Sequence, residues 1–274
     1  MRMRQADGIA ARGRDSAGEG STPRFAVAFQ PIVDIASGRV RAYEALLRGP
    51  GGAPAGGVLA RVPKGSRGVF EAEALTAILD RFGDGEGDLH VNFSPVALLR
   101  EPSAMAGLAA RLALSSLPAC RFVIEVTEGE RIGDAEALAA VMEEARGMGV
   151  RVALDDFGTG YGGLGMLAEA RPDLVKLDRS LIRGINQHRT RRPILARIIE
   201  TAGQLGIGVI AVGVETEAEF LCLASLGVTL FQGFLIAPPT TERLVRMDEI
   251  MLPPALLPAS APAAEIHQVV PPLN

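Results

Sequence analysis

The chain has 274 residues, 48% of them hydrophobic, enough to bury one large core and within the length range of single α/β barrels. A formal net charge of -4 gives no basic footprint for non-specific nucleic-acid binding, so no DNA partner is expected and an anionic ligand needs metal ions or a few local cations. The two cysteines, Cys120 and Cys222, lie far apart without CxxC spacing, which argues against a zinc site or a disulfide framework and reads as two small buried residues in a reducing compartment.

Residues 1–23 are rich in Arg, Gly, Ser and Asp without apolar periodicity and read as a tail. Phe25 to Val33 and Arg39 to Leu47 flank the polar stretch Asp34 to Gly38, and together they predict an antiparallel hairpin. Gly51 to Gly68, rich in Gly and Pro, reads as an irregular surface connection. Helical patterns over Glu71–Phe82, Ala104–Leu114, Ala135–Met148, Pro193–Leu205 and Glu217–Leu226 then alternate with short apolar runs. The runs are Leu89–Phe93, Arg121–Val126, Val150–Leu154, Leu174–Leu177, Gly208–Val212 and Thr229–Phe231. That alternation is the signature of a parallel βα architecture. The Pro- and Ala-rich residues 252–274 read as a second tail, which leaves 24–251 as one domain. The longest apolar run, Leu205 to Val214, is broken by glycines and too short to span a bilayer, and the first residues lack a signal-peptide pattern, so a cytoplasmic protein without membrane contact is expected.

Polar residues fall within or at the carboxyl ends of the strand runs, where a parallel barrel places its active site. Glu44, Asn92, Glu125, the pair Asp155-Asp156 and Lys176 each interrupt a run that otherwise belongs in a core. Two carboxylates ~4 Å apart repel by about 4 kcal/mol at an effective dielectric of 20, so converging acids need protonation or a divalent cation. Oxygen donors without histidine favour Mg²⁺, Mn²⁺ or Ca²⁺ over zinc; His90, two residues before Asn92, is not expected to be a ligand. The glycine-rich stretch from Phe157 to Gly163 permits close ligand approach but is neither GxGxxG nor a Walker motif.

From Phe25 to about Arg246 the sequence resembles the EAL cyclic di-GMP phosphodiesterases. The matching pieces are Phe29-Gln-Pro-Ile-Val-Asp34, Tyr43-Glu-Ala-Leu-Leu-Arg48, Val91-Asn-Phe-Ser-Pro95, Glu125-Val-Thr-Glu128, Leu154-Asp-Asp-Phe-Gly-Thr-Gly-Tyr161, Val175-Lys-Leu-Asp-Arg-Ser180 and Phe231-Gln-Gly-Phe234. The resemblance implies a modified TIM (β/α)8 barrel whose first strand is antiparallel, and a site with two metals, Mg²⁺ or Mn²⁺, that cuts cyclic di-GMP to pGpG. It implies that Glu44, Asn92, Glu125 and Asp155 hold one metal, with Asp155 and Asp156 serving the second. Lys176 would orient the attacking water, and Glu128 would brace the glycine-rich loop. Gln30, Arg48 and Gln232 would contact ligand or order the site. A homodimer is also implied. From the residues alone, the alternative readings are Glu128 as an acid at a helix start, Gln232 as a strand-end hydrogen-bond partner and Asp178 as a cap for Ser180 onward.

One position departs from the family pattern. The family shows Ala-Glu-Gly-Val-Glu near the end of its seventh strand, and here the chain reads Ala211-Val-Gly-Val-Glu215, so the first glutamate becomes Val212. An isopropyl group neither ligates a cation nor accepts a proton, and loss of a general base lowers rate by about 10²–10⁴-fold. Reduced or lost turnover is expected. The alternative expectation is a non-catalytic cyclic di-GMP receptor that signals through a protein partner.

Overall fold

The computed structural model describes residues 22–253 except 95–97, 99–102, 128–134 and 160–162. Eight strands close into a barrel in the order β1-β2-β3-β4-β5-β6-β7-β8. They are β1 (Ala26–Asp34), β2 (Arg39–Arg48), β3 (Asp88–Phe93), β4 (Phe122–Thr127), β5 (Arg151–Phe157), β6 (Leu174–Leu177), β7 (Gly208–Val212) and β8 (Leu230–Gln232). β1 pairs antiparallel with both β2 and β8, whereas every other pairing is parallel. The chain reverses between β1 and β2 at Gly38, whose φ of 65° suits a residue without a Cβ. The α/β barrel with its antiparallel opening strand is therefore the architecture that the sequence predicts.

The helices are α1 (Ala55–Leu59), α2 (Arg67–Phe82), α3 (Ser103–Leu114), α4 (Ala135–Gly147), α5 (Gly163–Ala170), α6 (Arg179–Ile182), α7 (Arg191–Gln204) and α8 (Glu217–Ser225). Asp178 caps α6 by accepting from Ser180 N at 2.8 Å, as the sequence suggests. At α8, Thr216 and Glu219 form a capping box, and Glu219 also accepts from Gly184 N, tying this helix to the connection between α6 and α7.

Strand alternation sorts the side chains into two cores. Outward residues such as Leu89, Phe122, Ile124, Val175, Ala211 and Phe231 pack beneath the helices. Inward, Ile32, Ala42 and Ile210 fill the barrel floor, flanked by Leu174, Val212 and Leu230. The polar residues singled out above lie over that apolar floor.

Three expectations are corrected. The Gly51 to Gly68 segment is not wholly irregular: it holds α1, and Val58 and Val62 are buried against Phe70 and Ala74 of α2. Burial of two valines organises a stretch whose glycine content masks any periodicity. Cys120 is exposed, in a turn before β4, and only Cys222 is buried. Strand five, expected over Val150–Leu154, runs Arg151–Phe157 and carries Asp155 and Asp156 at its carboxyl end.

Candidate active site

The carboxylates converge at the C-terminal mouth of the barrel. One oxygen each from Glu44, Glu125 and Asp155 lies within 4.8 Å of the others. The Nζ of Lys176, fully buried on β6, sits among them at 2.7 Å from Glu125 Oε2, 3.0 Å from Glu44 Oε2 and 3.3 Å from Asp155 Oδ1. Strand register explains the convergence: Glu44 faces inward from β2 opposite Gln30, Glu125 pairs with Asn92 and Ala153, and Asp155 lies two pairs further toward the mouth opposite Thr127, on the same face as Glu125.

The surrounding amides fix these oxygens. Asn92 Nδ2 donates to Glu44 Oε1 at 2.8 Å, and Gln232 Nε2 donates to Glu44 Oε2 at 2.7 Å and to Gln30 Oε1 at 3.2 Å. Gln30 in turn donates to the carbonyl of Ala237. Among the described residues, the buried Oε1 of Gln232 has no hydrogen-bond partner. His90, not expected from the sequence to be a ligand, lies on the inward face with Asn92 and places Nδ1 2.8 Å from Glu125 Oε1.

Two buried acids and the half-buried Asp155 around one ammonium leave an excess of negative charge, and the acidities record it. Burial pushes the Glu125 carboxyl up to about 8, with the Glu44 charge adding to the rise. Burial likewise raises Asp155 to about 6 against the pull of Lys176. At Glu44 burial opposes ionisation, but Lys176 and the hydrogen bonds from Gln232, Lys176 and Asn92 prevail and hold the group at about 2. Burial disfavours charge on Lys176, yet Glu125, Glu44 and Asp155 raise its pKa well above the usual value. Burial, then the Lys176 charge, lowers His90 to about 3. A set of carboxylates with an amide oxygen beside them is a hard donor set suited to Mg²⁺, Mn²⁺ or Ca²⁺.

Asp156 follows with φ 54° where the β5–β6 register shifts between Leu154 and Phe157. This break lets consecutive aspartates line the same cavity, which a regular strand forbids. Burial and then the Asp155 charge raise the Asp156 carboxyl. The cavity, of about 420 Å³, runs from the acids to an apolar wall that includes Leu59, Phe70 and Leu75, with Arg67 and Glu71 of α2 beside it. Arg67 and Glu71 form an ion pair at 2.9 Å and were not foreseen, because they lie in and just after the glycine-rich connection rather than on a strand.

Arg48, at the end of β2, donates to the carbonyl of Leu47 and stands outside the carboxylate cluster. Glu128 lies outside the described residues. Val212 is the last residue of β7, pairs with Gln232, and packs half-buried against the apolar floor. Glu215 pairs with Arg179 at 2.7 Å and is not among the converging acids. A larger cavity of about 960 Å³ opens at the opposite end of the barrel, lined by Asp34, Arg39, Arg41 and Tyr43 among others. There the charges alternate in sign, so the smaller cavity is the one with convergent chemistry.

The family model described as EAL domain matches residues 19–239. The chain is similar to the standalone EAL protein of Vibrio cholerae in its c-di-GMP-bound form, with 32% identity, 81% of this chain and 94% of that one covered, and a TM-score of 0.76. It is similar to BlrP1 of Klebsiella pneumoniae in complex with manganese and cyclic di-GMP, with 36% identity, 78% and 56% covered, and a TM-score of 0.74. Among curated proteins it is 30% identical to the blue light- and temperature-regulated antirepressor BluF of Escherichia coli, over 77% of this chain and 53% of that protein. It is 31% identical to a cyclic di-GMP phosphodiesterase of Pseudomonas aeruginosa, over 80% of this chain and 39% of that protein. The chain thus spans about half the length of these curated relatives or less.

Proposed function

The chain belongs to the EAL domain family, and on that premise we propose that it binds cyclic di-GMP through divalent cations and hydrolyses it to pGpG, at a rate lowered by Val212. The observation that carries this reading is the convergence of Glu44, Glu125 and Asp155 around the buried Lys176 at the barrel mouth. A purely structural ionic cluster has no use for three acids against one cation.

In this reading Glu44, Asn92, Glu125 and Asp155 hold one ion, and Asp155 with Asp156 serves a second, Mg²⁺ or Mn²⁺ in each case. Such ions, when bound, activate water and neutralise charge on the phosphodiester. Lys176, displaced from the carboxylates or left beside them, holds the attacking water by its Nζ. Gln232 keeps an open acceptor, Oε1, for a donor brought by water or ligand. Arg48 supplies a planar donor for phosphate oxygens, and Glu128 steadies the glycine-rich loop. Val212 offers neither ligation nor a base at its position beside Gln232.

A second reading rests on that same residue: a receptor that binds cyclic di-GMP without cutting it and passes the signal to a protein partner. The likeness to an antirepressor supports a regulatory use of the fold. In both readings the protein works as a cytoplasmic domain; among the described residues no helix is long and apolar enough to cross a membrane.

Calorimetric titration of cyclic di-GMP in Ca²⁺ and in chelator tests the shared premise. Saturable binding that chelator removes is expected. No heat in either condition contradicts both readings and leaves a scaffold that binds no nucleotide.

A further inference from the structure

The two oxygens of Glu125 face opposite ways. Oε2 turns to Lys176 on the side where Glu44 and Asp155 converge, whereas Oε1 turns away to His90 Nδ1 at 2.8 Å. His90 and Glu125 are both fully buried, so neither side chain has room to swing freely. An ionised carboxylate only accepts hydrogen bonds, so with Glu125 ionised the imidazole Nδ1–H is the donor. Glu44 shows the same division of labour, with Oε1 held by Asn92 and Oε2 facing the cluster.

Resting on the metal-binding reading above, we propose that His90 is a positioning residue that confines Glu125 to ligation through Oε2 alone and so biases the site toward Mg²⁺ over Ca²⁺. Ca²⁺ takes six to eight oxygens and readily accepts a carboxylate through both of them, whereas Mg²⁺ demands near-octahedral geometry built from single oxygens and waters. A carboxylate whose second oxygen is committed to a buried imidazole meets the second requirement and withholds what the first exploits. Partners behind a metal ligand change affinity by about 10–100-fold when removed. Here the consequence is a change in the ratio between ions rather than a uniform loss.

The test is calorimetric titration of the native protein, His90→Leu and His90→Asn with Mg²⁺ and with Ca²⁺, without nucleotide. Leucine removes the donor; asparagine keeps an amide Nδ2–H near the position of Nδ1. In His90→Leu the preference for Mg²⁺ over Ca²⁺ should fall on the order of tenfold, while His90→Asn stays close to native. An unchanged ratio in His90→Leu, or an equal shift in both variants, overturns the inference and leaves metal binding intact. Native protein that binds neither ion overturns the metal-binding reading itself. Should His90→Leu not fold, a crystal structure of the native protein with Ca²⁺ decides: one Glu125 oxygen at about 2.3–2.6 Å supports the assignment, and two overturn it.

Discussion

Two ionic clusters sit at opposite ends of the barrel and resolve their charge in opposite ways. At the N-terminal end, Asp88 is met by Arg151 at 2.5 Å and Arg41 at 3.3 Å, and both guanidiniums reach solvent. One acid faces two cations that water also stabilises. At the C-terminal mouth three acids face one ammonium, and Lys176, Glu44 and Glu125 are all buried. The first cluster is complete as it stands. The second stays short of positive charge unless protons or dications are added, and that deficit, more than burial, marks it as the candidate site.

The widest break in this contrast comes from removing a carboxylate at the mouth. Glu44→Ala is expected to abolish dication-dependent cyclic di-GMP binding, lowering affinity by at least about 100-fold by calorimetry, whereas Asp88→Asn leaves it within error. Lys176→Met removes the cation that pairs with all three acids. In chelator the fold should lose about 3–5 kcal/mol in urea unfolding, with Mn²⁺ restoring much of it.

Proton competition sharpens the same contrast. Glu125 and Asp155, raised to about 8 and about 6, bind protons that a dication must displace, while Glu44 at about 2 is already ionised. Ion affinity should therefore climb as pH rises from about 6 to about 8 and flatten above it, with proton release visible as buffer-dependent heat of binding. Affinity that is flat over this range would mean that the acids are not the ligands. The smallest effect is expected at the balanced end, where Asp88→Asn should cost about 1 kcal/mol or less in thermal unfolding, because its arginines fall back on water.

The site was legible where chemistry contradicts strand pattern. Glu44, Asn92, Glu125, Asp155 and Lys176 each interrupt an apolar run, and period-two alternation puts them on the inward face. His90 obeys the same alternation with Asn92, but reading it as a candidate metal ligand or nothing overlooked its role as a partner to Glu125. Asp156 could be named but not placed, because its inward turn depends on a positive φ that the sequence does not announce. The hairpin was plain from the polar stretch between two apolar runs. Helix α5 was missed for a local reason, since it begins Gly163-Leu-Gly165, with low helix propensity, and α6, only four residues long, was legible through its Asp178 cap alone. α1 was hidden by the glycines around Val58, whose burial against α2 is a tertiary effect.

The contrast between a complete cluster and a deficient one reaches its sharpest point at Val212, which adds an apolar side chain where Gln232 stands opposite with a free oxygen. The decisive measurement is pGpG production from cyclic di-GMP in Mn²⁺ and Mg²⁺ by the native chain beside Val212→Glu. The Val212→Glu variant is expected to be faster by about 10²-fold or more, with similar ligand affinity in Ca²⁺. Equal rates from the two proteins would contradict it, since Val212 would then cost the site nothing.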